Sequence, residues 1–97
     1  MNAAKLQQVV RDNAAQERYE MQLDGGVAFV TYRRSPDAIV LLHAEVPREL
    51  EGRGLGSTLV RSVLEAVRAN GEKIVPRCSF IAAYLRRHPE FADLLAD

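Results

Sequence analysis

Three glycines alternate at Gly52, Gly54 and Gly56, within the segment 46–56 (VPRELEGRGLG) that precedes an amphipathic pattern. Residues without a β-carbon let backbone N–H groups approach a ligand closely, and a helix beginning there adds partial positive charge. The chemistry offered by that spacing is the cradling of a phosphate. No Ser, Thr, Asp or Asn stands in the segment to cap the helix, and Arg53 is a cation placed against the helix dipole. A bound anion accounts for both features, because it supplies the missing acceptor and pairs with Arg53. A dinucleotide-binding GxGxxG loop needs glycine where Leu59 stands, and a P-loop needs a lysine that the segment lacks. The pyrophosphate of another cofactor and a plain glycine turn at a tight corner are the readings left open.

Other residues with reactive side chains are few. Cys78 follows a short apolar run and stands beside Arg77 near the start of a second helical pattern, two influences that favour a thiolate. A small buried side chain is the alternative for it. One cysteine and two histidines provide neither an internal disulfide nor the ligand set of a zinc cluster, so no metal is expected. A lone thiol fits a reducing, cytoplasmic setting. The start of the chain, MNAAKLQQVVRDN, has no apolar core of signal-peptide length, and no stretch approaches a membrane span. Thirteen Lys and Arg balance thirteen Asp and Glu, which removes the bulk attraction that non-specific nucleic-acid or lipid binding requires. Any anion must be held locally.

The elements that position these groups follow from period. Ninety-seven residues, 47% hydrophobic and 27% charged, suit a single soluble domain over 1–97. Residues 9–46 read as strands. Tyr19, Met21 and Leu23 alternate with polar neighbours up to the turn Asp24-Gly25-Gly26, the return strand is GVAFVTYRR, and Ser35-Pro36-Asp37 turns into 38–46. Three or four antiparallel strands are expected, the run IVLL being buried on both faces. Leu55, Leu59, Val60, Val63, Leu64 and Val67 then form one helical stripe, which Asn70-Gly71 ends. A short strand at 73–76 follows, then a helix marked by Phe80, Ile81, Tyr84 and Leu85 and stopped by Pro89, with 91–95 packing back as a final turn. The fold class is α+β: antiparallel strand meander, amphipathic helix, short strand, second helix.

Arg53-Gly54-Leu55-Gly56 opening an amphipathic helix, after a meander that ends in Glu45-Val46-Pro47, resembles motif A of the GNAT acetyltransferases: Gln or Arg, two residues, Gly, one residue, then Gly or Ala. The match holds at Gly54 and Gly56 and departs at Glu51. The string VPRCSFIAAYLRRHPEF, with LLHAEVP and the chain length, looks like the minimal, single-domain YjdJ-like branch of that superfamily. The resemblance implies that acetyl-CoA is bound and its acetyl group passed to an amine. By the same resemblance Ala44, Glu45 and Val46 lie against the acyl group, and Arg53, Gly54, Leu55, Gly56 and Ser57 hold the pyrophosphate.

Acyl transfer to an amine calls for a polarised carbonyl, a deprotonated nucleophile and a proton for the leaving thiolate. His43 and Glu45 share one strand face and are candidate general bases; a half-buried sheet residue and a solvated strand-end charge are the alternatives. Cys78 is a candidate acyl-accepting nucleophile. Tyr84 stands where many members of the superfamily place a general acid, and its spacing from Phe80 and Ile81 also suits the core. Arg86, Arg87 and His88 either meet phosphates or cap the helix C-terminus. The rival function is a module that binds acyl-CoA, or docks a partner, without turnover.

Overall fold

A computed structural model describes residues 10–96. Val9, the expected start of the strand pattern, lies outside them. Five strands form one sheet in chain order: β1 (Arg11–Asn13), β2 (Arg18–Leu23), β3 (Gly26–Arg34), β4 (Ile39–Glu45) and β5 (Ile74–Pro76). The first four are antiparallel neighbours, and β5 adds to β4 in parallel after the crossover helix α1 (Leu55–Ala69). A second helix, α2 (Ser79–Arg87), and a 3₁₀ segment, Pro89–Leu94, complete the chain. The expected α+β order is borne out, with four strands in the meander.

Local chemistry explains the boundaries. Asp24 and Gly25 form a two-residue hairpin loop, Gly25 taking φ of 97°. Ser35 N–H and Oγ both donate to the Ala38 carbonyl and close the second turn. Gly71, at φ of 71°, ends α1, while Glu72 N–H reaches back to the Val67 carbonyl at 3.1 Å. One bend was not legible. Glu17 links a 3₁₀ turn to β2 with φ of 53°, a left-handed conformation for which its residue type gives no warning.

Leu59, Val60, Val63, Leu64 and Val67 of α1 join Ile81, Tyr84 and Leu85 of α2, Phe91 and Leu94, and one face of the sheet in a single buried cluster. Each fully buried aliphatic side chain contributes about 1.5–3 kcal/mol. Both helices cover the same face, and this corrects the expectation for IVLL: Ile39 and Leu41 are buried, but Leu42 is 37% exposed. The ladder gives the reason. Thr31 pairs with His43 and Tyr32 with Leu41, so Leu42 has no partner on β3 and forms a bulge. Past it the faces exchange, Ala44 turning toward the core and His43 and Glu45 away. Phe80 also departs from the core assigned to α2, with 40% of its surface exposed.

At the far end of the sheet Tyr32 donates to Asp12, and Arg34 joins Asp12 to Glu72. Burial first, and then the hydrogen bond to Asp12, push the Tyr32 phenol up to about 12 from its ordinary 10.0. Because the fold holds this proton more tightly than the unfolded chain does, the stabilisation is whole below the ordinary value and is lost as pH rises through about 12. Denaturant unfolding across that window should therefore show stability falling more steeply for the native protein than for Tyr32→Phe. Equal slopes would refute the assignment.

Candidate active site

From β4 the chain passes Val46 and Pro47 into a 3₁₀ turn, Arg48–Leu50, and then through Glu51, Gly52, Arg53 and Gly54 into α1. Gly52 (φ 85°) and Gly54 (φ 73°) are left-handed, and a β-carbon on either would meet nothing within 4 Å. Gly54 is the N-cap of α1 and no side chain caps the helix. Thr58 turns its hydroxyl back onto the Gly54 carbonyl at 3.2 Å. The N–H groups that open a helix have no acceptor within it, and here they have none from a cap. The combination of uncapped donors and helix-dipole charge suits an anion.

These donors face a cleft of about 340 Å³. One wall is Ala44 and Val46, where β4 has lost its neighbour: the last rung between β4 and β5 is the hydrogen bond from Arg77 N–H to the Leu41 carbonyl at 2.8 Å, and Cys78 is already the N-cap of α2. The parallel pairing ends at Leu41, so beyond it β4 presents an open backbone edge on this side. Gly54, Leu55, Gly56 and Ser57 form the floor, and Leu50, Glu51, Gly52 and Phe80 complete the lining. The structure thus brings together six of the seven residues expected to bind a cofactor. Arg53 is exposed beside the cleft without lining it and has no carboxylate partner among the described residues.

A family model described as GCN5-related N-acetyl-transferase matches residues 18–94. The chain belongs to that family. The family is one of acyltransferases, and the match does not resolve the YjdJ-like branch. The acetyltransferase also resembles the NMR solution structure of a GCN5-like candidate N-acetyltransferase from Staphylococcus aureus, with 26% identity over 92% of this chain and 88% of that one and a TM-score of 0.67. No curated protein matches the sequence.

The remaining candidate residues of the acetyltransferase fall into two groups. His43 Nε2 and Glu45 Oε1 lie 3.1 Å apart on the face away from the helices, their side chains 58% and 57% exposed. The His43 ring meets Phe29 edge-on, and Arg18 covers Phe29 from β2 while bonding Glu20 at 2.6 Å. The carboxyl of Glu20 is held below its ordinary range chiefly by that Arg18 bond. Neither side chain lines the cleft, although Glu45 stands in the chain between the two cleft-lining residues Ala44 and Val46.

Cys78 and Tyr84 stand apart from the cleft lining. Cys78 is half-buried and packs against the core, and it carries no side-chain cap for α2. Tyr84, expected beside a leaving thiolate, is buried: its ring stacks on His88 at 4.0 Å, and its hydroxyl accepts from Arg61 Nη1 at 3.4 Å. The 3.6-residue period that makes Ile81 and Leu85 core residues carries Tyr84 with them. His88 pairs with Glu90 at 3.3 Å, and Arg86 and Arg87 are exposed in the last helical turn, where cations are favoured without any ligand. Sequence reasoning missed Leu50 and Phe80 as cleft residues. Glu51 had been marked only by its departure from the motif.

Arg53 gives a test of sign. Its charge opposes the α1 dipole with no ion pair among the described residues to offset it, so Arg53→Gln should leave the ligand-free protein as stable or more stable by a few tenths of a kcal/mol. Chemical denaturation measures this. A less stable variant would mean that Arg53 serves the fold.

Proposed function

We propose that this acetyltransferase takes its acyl group from acetyl-CoA and passes it to a primary amine. The observation that carries the reading is the uncapped start of α1, opening into a cleft whose far wall is an unpartnered strand edge. The residues present fit the cofactor. N–H groups of Leu55, Gly56 and Ser57, with Arg53 beside them, suit the pyrophosphate. Free N–H and C=O groups along the edge of β4 near Ala44 and Val46 suit the amides of a pantetheine arm. Acetyl-CoA, when bound, supplies a thioester carbonyl open to attack by an amine.

In this reading Glu45 takes the proton of the attacking amine, and the hydrogen-bonded His43 orients its carboxylate or shares the proton. Two features support Glu45 over Cys78: its carboxylate is exposed and its chain neighbours Ala44 and Val46 both line the cleft, whereas Cys78 packs against the core. The position of Tyr84 favours a packing role, so the proton for the departing thiolate has no assigned side chain. The lone thiol suits a reducing compartment, and we assign the activity to the cytoplasm.

Release of free thiol from acetyl-CoA, measured with and without a panel of primary amines, tests the reaction. Amine-dependent release is expected. Release without amine dependence, or binding without release, would favour a module that holds acyl-CoA without transferring it.

Two sets of variants test the parts. Gly54→Asn keeps a residue type that tolerates the left-handed conformation and puts its side chain into the open space of the cradle, so coenzyme A binding should weaken at least ~10-fold, about 1.4 kcal/mol, in a folded protein. Calorimetry decides it, and unchanged affinity would overturn the cradle. For the chemistry, Cys78→Ala and Cys78→Ser should hold kcat within a few-fold, while Glu45→Gln should lower it by roughly 100-fold through loss of the base. The reverse pattern, with acetylated Cys78 in the intact mass, would establish a covalent route.

A further inference from the structure

Gly56 differs from the other two glycines of the loop. It is absent from the positive-φ residues, so the left-handed conformation does not explain it, and a glycine inside a helix is less favourable than alanine. Nor would its β-carbon point into open space, as one on Gly54 would. It would stand 3.0 Å from Cζ and 3.3 Å from Cε2 of Phe80, tighter than most packed carbons sit, so the ring would have to give by a few tenths of an ångström. Helix α1 lacks a side chain at this position where the ring of Phe80 lies against its first turn.

Phe80 is itself out of pattern. Its helix buries Ile81, Tyr84 and Leu85, yet Phe80 is 40% exposed. Leu42 and Leu95, the other large exposed apolar residues among those described, are not part of this cleft, whereas Phe80 lines it. A ring has no hydrogen bond to give a phosphate, so its place beside the amide cradle adds nothing to anion binding. It offers an apolar wall to whatever uncharged chain continues from the anion. Ala44 and Val46 supply an apolar wall from β4.

We infer that Gly56 and Phe80 are a matched pair that sets the width of the cleft beside the cradle, making Phe80 a specificity residue that selects an anion joined to an uncharged arm over a bare nucleotide. The inference rests on the coenzyme A reading and deepens it. It also assigns Gly56 a different duty from Gly54: one makes room for a ring, the other leaves space for the anion.

Calorimetry with two probes tests this, coenzyme A and its nucleotide fragment lacking the pantetheine arm, on proteins whose folding is checked by thermal melting. Phe80→Ala should weaken coenzyme A binding at least ~10-fold and alter binding of the fragment by no more than about twofold. Gly56→Ala keeps the backbone N–H but displaces the ring that lines the cleft, and should weaken coenzyme A binding roughly threefold or more. On a Phe80→Leu background Gly56→Ala should cost little further binding, because leucine has no ring tip to displace. Phe80→Leu alone, a conservative change, serves as the reference for the double variant and stands in for Phe80→Ala should that variant fail to fold. Equal effects on both probes, an unchanged affinity for coenzyme A in Phe80→Ala, or the full Gly56→Ala loss in the double variant relative to Phe80→Leu would overturn the pairing. A native protein that binds no coenzyme A would overturn the cofactor reading and this inference with it, whereas native binding with an indifferent Phe80→Ala would overturn the inference alone.

Discussion

The separation of β5 from β4 after Arg77 is the constraint on which the cleft depends. Helix α2 must begin at once if Ile81, Tyr84 and Leu85 are to reach the core, so β5 is only three residues long and Cys78 already caps the helix. Strand β4 continues to Glu45 without that neighbour. Lys73, whose carbonyl accepts from Ile39, and Arg77, whose N–H donates to Leu41, bond β4 at the two ends of β5, and that alternation leaves Pro76 turned to the other edge, where its missing donor costs β4 no rung. A backbone edge left unpaired inside a protein needs a partner. Placed opposite the uncapped start of α1, it gives the cleft hydrogen-bonding capacity on two sides.

The bulge at Leu42 separates packing from chemistry along the same strand. With unbroken alternation, Ile39, Leu41, His43 and Glu45 would share one face, and burying a carboxylate and an imidazole under two helices would be costly. One extra residue sends Ala44 inward and the polar pair outward. The core can then be almost wholly apolar, with no buried charged residue among those described, while the site stays polar. Phe80 shows a related division on α2, where one side chain is withheld from the core to line the cleft.

Much of this architecture was legible because local rules agreed with one another. The Asp24-Gly25-Gly26 turn, the α1 stripe, the Gly71 stop and the Pro89 break each have a short-range cause that the structure repeats. The glycine-rich turn into α1 was legible for the same reason. What escaped depends on residues distant in sequence. The exposure of Leu42 follows from its lack of a partner on β3, which no pattern inside IVLL reports. Phe80 looked like core because its spacing from Ile81 and Tyr84 is helical, and only the first turn of α1 lying against it reveals its place in the cleft. Tyr84 shows the opposite case: family resemblance suggested a reactive hydroxyl, and the helical period that buries Leu85 turns it toward Arg61 and His88.

Strand order in the sheet equals strand order in the chain. Such a sheet grows by adding each segment to the one just before it, so most closures from β1 to β4 span short loops and lose little entropy. The exception is β5, which can join only after α1 has been spanned. The cleft lies at that late junction, since its walls come from β4, α1 and the start of α2. During synthesis the meander therefore has its partners well before the cleft has its walls. Damage near residues 74–87 would remove the wall of the cleft that Phe80 supplies and leave β4 with an open edge along its whole length, the kind of surface on which chains associate.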